Sequence, residues 1–186
     1  MGNDNTLSPS RDEIIRMVAE HYYSSNILNN SHRGDIVEMM VLYALGGEWK
    51  LVGLGWHPWD LELRRDNKRY RIQVRQIAAL QLWGKTKKYL LSFGWKKKAP
   101  DYFFRDHPGE EIEPEGWFCD IFIFGLHLED DENKADQVDP SQWRFLVIPV
   151  KDLKRGLDSM ILEKALKRWN PVEWNRLSET VENIIK

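Results

Sequence analysis

The chain has 186 residues, of which 42% are hydrophobic, 30% charged and 12% aromatic, and its formal net charge is −2. That length suits one domain with a sizeable core, spanning 1–186, and the charge excludes a strongly basic global field. Cys119 is the one cysteine, which excludes an internal disulfide. The absence of a membrane-length apolar run or signal-peptide pattern leads to the expectation of a cytoplasmic protein with no membrane partner.

In chain order, Ser8-Pro9 or the capping box Ser10/Glu13 opens a predicted helix to about Ile27, with Ile14, Val18 and Tyr22 on one stripe. "LNNSH" breaks it. A second helix over Arg33–Leu45 ends at Gly46-Gly47, where glycine supplies a left-handed cap. Its run "IVEMMVLYAL" is apolar almost all round, which predicts a buried helix with Glu38 as its lone charge. A carboxylate there needs a cation, a metal or good donors, or else a narrow solvent stripe.

Strands are predicted over Trp49–Leu54, Trp59–Arg65, Arg69–Ile77, Phe118–His127 and Trp143–Val150, the first three forming an antiparallel meander. An irregular insert over about 80–116 carries short apolar pieces at Tyr89–Phe93 and Tyr102–Phe104. The acidic loop "EDDENKADQVDPSQ" joins the last two strands. The C-terminus, about 157–186, reads as two helices, Leu157–Trp169 and Pro171–Ile185, the second capped by Asn170 and Glu173. The order specifies an α/β domain with a central sheet flanked by helices.

Strand alternation places Asp60, Glu62 and Arg64 on one face of the second strand, and Arg71, Gln73 and Arg75 on one face of the third. A turn at Asp66-Asn67 pairs Arg65 with Lys68 and sets Asp60 opposite Gln73. A turn one residue later sets it opposite Arg75. Either register gathers Asp60, Gln73 and Arg75. The plain alternative is a hairpin whose polar face lies in water, with Glu62 and Arg71 as a cross-strand pair.

"RGDIVEMMVLYALGG" followed by "HPWDLELRRDNKRYRIQVR" resembles the PD-(D/E)XK, restriction-endonuclease-like nuclease superfamily, with the match best over Arg33–Ile77. The resemblance implies a restriction-endonuclease-like core, a central mixed β-sheet flanked by helices. It makes Glu38 the helix carboxylate, Asp60 the central metal ligand and Gln73 the residue in the family's acidic-or-glutamine position. Arg75 stands where the family has lysine. The implied activity is Mg²⁺- or Mn²⁺-dependent endonucleolytic hydrolysis of DNA in defence or repair, with Asp60, Glu38 and Gln73 on the metal and Arg75 on the scissile phosphate. Arginine clamps a phosphate but does not deprotonate, so it cannot be a general base. The alternative function is therefore a degenerate, non-catalytic nucleic-acid-binding or scaffolding module of the same fold.

Lys85, Lys87, Lys88, Lys96, Lys97 and Lys98 form a basic stretch interleaved with Trp83, Tyr89 and Trp95, and Arg64 and Arg69 add charge at the hairpin. These residues are the expected nucleic-acid surface, with DNA the first partner and RNA the second. The competing reading is a solvated loop anchored by its aromatics. The acids at Glu110, Glu111, Glu113, Glu115 and 129–132 are expected on the opposite surface. His57 is a candidate to orient water or cap a loop, Cys119 reads as core, and the Trp-rich composition is compatible with a homodimer.

Overall fold

In the computed structural model, which describes residues 8–52, 57–99, 101, 109, 112, 113 and 115–186, Asp66 and Asn67 both take positive φ, 51° and 61°. Short polar side chains tolerate that conformation, and a two-residue turn of this type matches strand twist. It joins β2 (Leu61–Arg65) to β3 (Lys68–Ala78), with Arg65 paired to Lys68 as expected. The short β1 (Lys50–Leu51) adds antiparallel to β2. Of the longer strand predicted there, Leu54 lies outside the described residues, as does the predicted apolar piece Tyr102–Phe104.

The hairpin β4 (Leu80–Gln81) and β5 (Gly84–Lys85) follows β3 at once. After β6 (Leu90–Ser92), strand β7 (Ile121–His127) lies parallel to β3, and β8 (Trp143–Pro149) lies antiparallel to β7. The result is a five-stranded mixed sheet ordered β1-β2-β3-β7-β8. Every residue of β7 is buried, as a central strand covered on both faces requires.

Helix α1 (Arg11–Tyr23) is opened by the Ser10/Glu13 capping box, yet none of its residues is buried. Its stripe of Ile14, Val18 and Tyr22 faces solvent rather than the core. α2 (Asn30–Leu45) starts one turn earlier than predicted because Asn29 caps it through the His32 N–H. It is not a helix buried all round: only Arg33, Val37, Val41 and Leu45 are buried, a single i,i+4 stripe laid on the sheet. Gly125 on β7 permits that approach, since a Cβ there would lie 2.8 Å from Val37 Cγ1.

The predicted C-terminal pair of helices is mostly something else. β9 (Ser159–Ile161) pairs with β6, followed by the one-turn α3 (Leu162–Ala165). Val172 bridges to Phe145 instead of opening a helix, and only α4 (Leu177–Ile185) is regular. α2 and α4 cover one sheet face through Val37, Val41, Leu177 and Val181 against Ile72, Ile121, Ile123 and Phe145. The β6/β9 ribbon, α3 and Phe93 cover the other against Phe122, Phe124, Leu146 and Ile148. Cys119 is a buried core thiol, with burial pushing its pKa up. Among the described residues no helix is long and apolar enough to cross a membrane.

Candidate functional site

β3 outruns its partner. Its residue-by-residue pairing with β2 ends at Ile72, whereas pairing with β7 continues to Ala78. Asp60, just before β2, completes the interrupted ladder with its side chain: Oδ2 accepts from the Val74 N–H and from Gln73 Nε2, each at 2.6 Å. Both side chains are withdrawn from water, at 8% and 9% exposed. Charged and amide groups are buried at a cost unless paired, and here they pair with each other. The reading of this hairpin as a ribbon with its polar face in water is therefore overturned. Glu62 does stand opposite Arg71 across the strands, but their charges go elsewhere: Glu62 takes Arg64 at 2.6 Å, while Arg71 forks onto Glu113 at 2.8 Å and also meets Asp120.

By the β3/β7 register Gln73 and Arg75 share a face with Phe122 and Phe124, while Val74 and Gln76 face α2. Groups from both faces can still converge at the step where β2 stops. Glu38 arrives from α2, one residue beyond the buried Val37, and lines a cleft of about 380 Å³ with Asn30, Asp35, Val74, Arg75 and Gln76. Burial first, then repulsion from Asp60 and Asp35, lifts the Glu38 pKa to about 7, against the opposing pull of Arg75. Asp60 is likewise raised by burial, opposed by the Val74 N–H, Arg75 and Gln73.

The structure thus brings Glu38, Asp60, Gln73 and Arg75 into one neighbourhood in two layers. Glu38 and Arg75 line the open cleft; Asp60 and Gln73 sit behind it. Among the described residues no three His, Cys, Asp or Glu side chains are gathered closely enough to hold an ion unaided. Mg²⁺ does not demand that, because it commonly uses one or two carboxylates and completes its shell with water and substrate phosphate. Two mutually repelling carboxylates, one poised to release a proton, fit a hard cation. The amide oxygen of Gln73, unused in its bond to Asp60, fits as well.

Two contributors escaped the sequence reading. Asp35 lies three residues before Glu38 on the same helical face, a spacing visible in "GDIVE". Arg33 is fully buried, and among the described residues it pairs with no carboxylate. It donates to Gln76 Oε1 at 2.7 Å, Asn30 Oδ1 at 2.5 Å, Gln81 Oε1 at 2.7 Å, Leu28 O at 3.1 Å and Gln137 Oε1 at 3.3 Å. Burial lowers its pKa to about 10, so it stays charged and ties α2, β3, the β4 turn and the 137 loop together. Its acceptors are scattered along the chain, and no local motif announces them. His57 Nδ1 lies 3.2 Å from Trp59 O, the loop-capping arrangement.

The basic segment does not form one patch. Lys85 stays near the C-terminal end of β3, where Thr86 bonds to Ala79, and pairs with Asp130 at 3.2 Å. Trp95 lies toward the other end, in a groove of about 860 Å³ with Lys68, Arg69, Lys151 and Lys186. Its ring packs on Trp117 with centroids 4.7 Å apart, and Lys96 bridges to Gly116. Lys97 and Lys98 are exposed, Lys98 beside Asp101 at 2.8 Å. Lys87 and Lys88 are exposed beyond the β4/β5 hairpin. Arg69 lies 5.1 Å over the Trp59 ring. The acids are not on an opposite surface: Asp130, Glu113 and Glu115 pair with Lys85, Arg71 and Arg155. Glu110 and Glu111 lie outside the described residues.

No protein-family model matches the chain, and no curated protein matches it. Among solved structures, a bacterial homing endonuclease overlaps it with a TM-score of 0.40 at 16% identity, covering 84% of this chain and 97% of its own. Similarity at that level carries no argument about activity.

Proposed function

We propose that the chain is a divalent-metal-dependent nuclease with a restriction-endonuclease-like core, hydrolysing phosphodiester bonds of DNA in the cytoplasm. The observation that carries this reading is the electrostatic repulsion between Glu38 on α2 and Asp60 just before β2, close to where β2 stops pairing with β3. Asp60, Glu38 and the Gln73 amide oxygen are the residues that would hold Mg²⁺ or Mn²⁺. Such an ion supplies an acidified water and charge neutralisation on the phosphate. Arg75, exposed beside Glu38, faces the scissile phosphate and stabilises charge as it develops on the oxygens. Arg75 takes no proton, so its role there is to hold charge. Asp60, through Val74 and Gln73, keeps the β3 edge in place.

One observation favours the alternative, a non-catalytic DNA-binding module of the same fold. Asp60 is largely buried, and two of its hydrogen bonds run to its own neighbours. Incubation with supercoiled, linear and single-stranded DNA, and with RNA, under Mg²⁺, Mn²⁺ or EDTA separates the two. The nuclease reading expects metal-dependent cleavage that Asp60→Asn abolishes while the fold survives. Salt-sensitive binding without cleavage under any metal would establish the module instead.

A further inference from the structure

The β4/β5 hairpin ends in Leu82 and Trp83, which are 60% and 76% exposed. Trp83 is the exposed one among the described tryptophans; the others are buried or partly covered. Leaving an indole in water forgoes a large burial gain, so such an exposure calls for a reason. The hairpin beneath it is firmly held. Thr86 N–H donates to Ala79 O and Thr86 Oγ1 to Ala78 O, both at 2.7 Å. Gln81 accepts from the buried Arg33 and donates to Ala78 O at 3.2 Å, and Gln137 Nε2 donates to Leu80 O at 2.9 Å. Gly84, at φ 117°, closes the turn in a conformation that side chains resist. Two apolar side chains are thus presented on a rigid mount joined directly to the end of β3, the strand that carries Arg75.

The charges nearby indicate the partner. Lys87 and Lys88 are exposed just past the tip, and of the acids near Lys85, Asp130 is taken up by Lys85 itself and Asp131 by Lys134. An aromatic tip beside free ammonium groups suits a ligand with flat apolar faces strung on an anionic backbone. We propose that the Leu82–Trp83 turn is a base-stacking finger, in which Trp83 lies against a nucleobase, Leu82 wedges beside it and Lys87 and Lys88 meet flanking phosphates. The proposal rests on the DNA-binding half of the function proposed above. Trp83 follows Arg75 by eight positions, so their Cα atoms lie at most about 29 Å apart.

The test uses the full chain with Ca²⁺ in place of Mg²⁺ and fluorescein-labelled DNA, as duplex and as single strand, read by anisotropy. Trp83→Ala should weaken binding about tenfold or more, with Trp83→Phe retaining most of the affinity and neither shifting the Tm. In single-stranded DNA carrying 2-aminopurine, the probe should be quenched by the wild type and less so by Trp83→Ala. Equal affinity of wild type and Trp83→Ala overturns the finger, as does a change in self-association with DNA binding intact. Failure of the wild type to bind any DNA overturns both the finger and the proposed function. Trp83-dependent binding without cleavage under Mg²⁺ or Mn²⁺ sinks the hydrolytic reading alone.

Discussion

Glu38 is strongly perturbed by its surroundings. Its pKa is raised from 4.5 to about 7, chiefly by burial and then by Asp60 and Asp35. A carboxyl with a raised folded-state pKa favours the folded protein fully below its unfolded value, and that contribution fades as pH rises through the folded value. In metal-free buffer the Tm should therefore fall between about pH 4.5 and about pH 7 by more in the wild type than in Glu38→Gln. A pH series of melting curves checks this, and equal slopes would remove Glu38 from the repelling cluster. Arg75 makes a separate prediction. Arg75→Ala should lower the rate of cleavage about 100-fold or more with DNA affinity little changed, and Arg75→Lys should recover much of it. Single-turnover kinetics distinguishes that from a binding defect. At this scale the sequence is informative where chemistry is local: alternation places Asp60 and Gln73 on one face in either register, and the structure selects the Asp66-Asn67 turn from the two. Arg33 did not follow, because its acceptors Gln76, Gln81 and Gln137 come from three distant segments.

The element that positions the site is α2, held by a close approach and a buried fork. Gly125→Ala would drive a Cβ into Val37 and Trp143, costing about 1–3 kcal/mol by overpacking. It should also shift Glu38 and reduce activity beyond what unfolding explains. Arg33→Leu leaves several buried acceptors without donors, and a loss of about 3 kcal/mol is expected in urea unfolding. Arg33→Lys, with fewer and differently placed donors, should recover only part of that. The elements the sequence misassigned share a cause. The apolar pattern of α1 fits an amphipathic helix but does not say that the folded chain provides a partner for its stripe. At 159–161 the local pattern reads as helix, and pairing with β6 overrides it. The α2 run looked buried all round because Met39 and Tyr43 are apolar, yet they are 42% and 78% exposed.

Among the described residues, the basic segment divides between the two ends of β3, with Lys85, Lys87 and Lys88 near one and Lys96, next to Trp95, near the other. Sequence order alone suggested a single patch; the chain between them crosses the sheet as β6 and separates them. A DNA long enough to span the two ends of β3 would meet both clusters. Its affinity should fall steeply with salt, and each phosphate-contacting lysine replaced by alanine should reduce the log–log slope by about one. Replacements at both ends should each have this effect, and an effect confined to one end would place the nucleic acid differently. The central claim, that Glu38 and Asp60 converge on a divalent cation, is tested most directly by calorimetric titration of the full chain with Mn²⁺. The account predicts saturable binding in the wild type, lost in Asp60→Asn and weakened in Glu38→Gln. Binding that persists unchanged in Asp60→Asn, or is absent from the wild type with and without DNA, would contradict it.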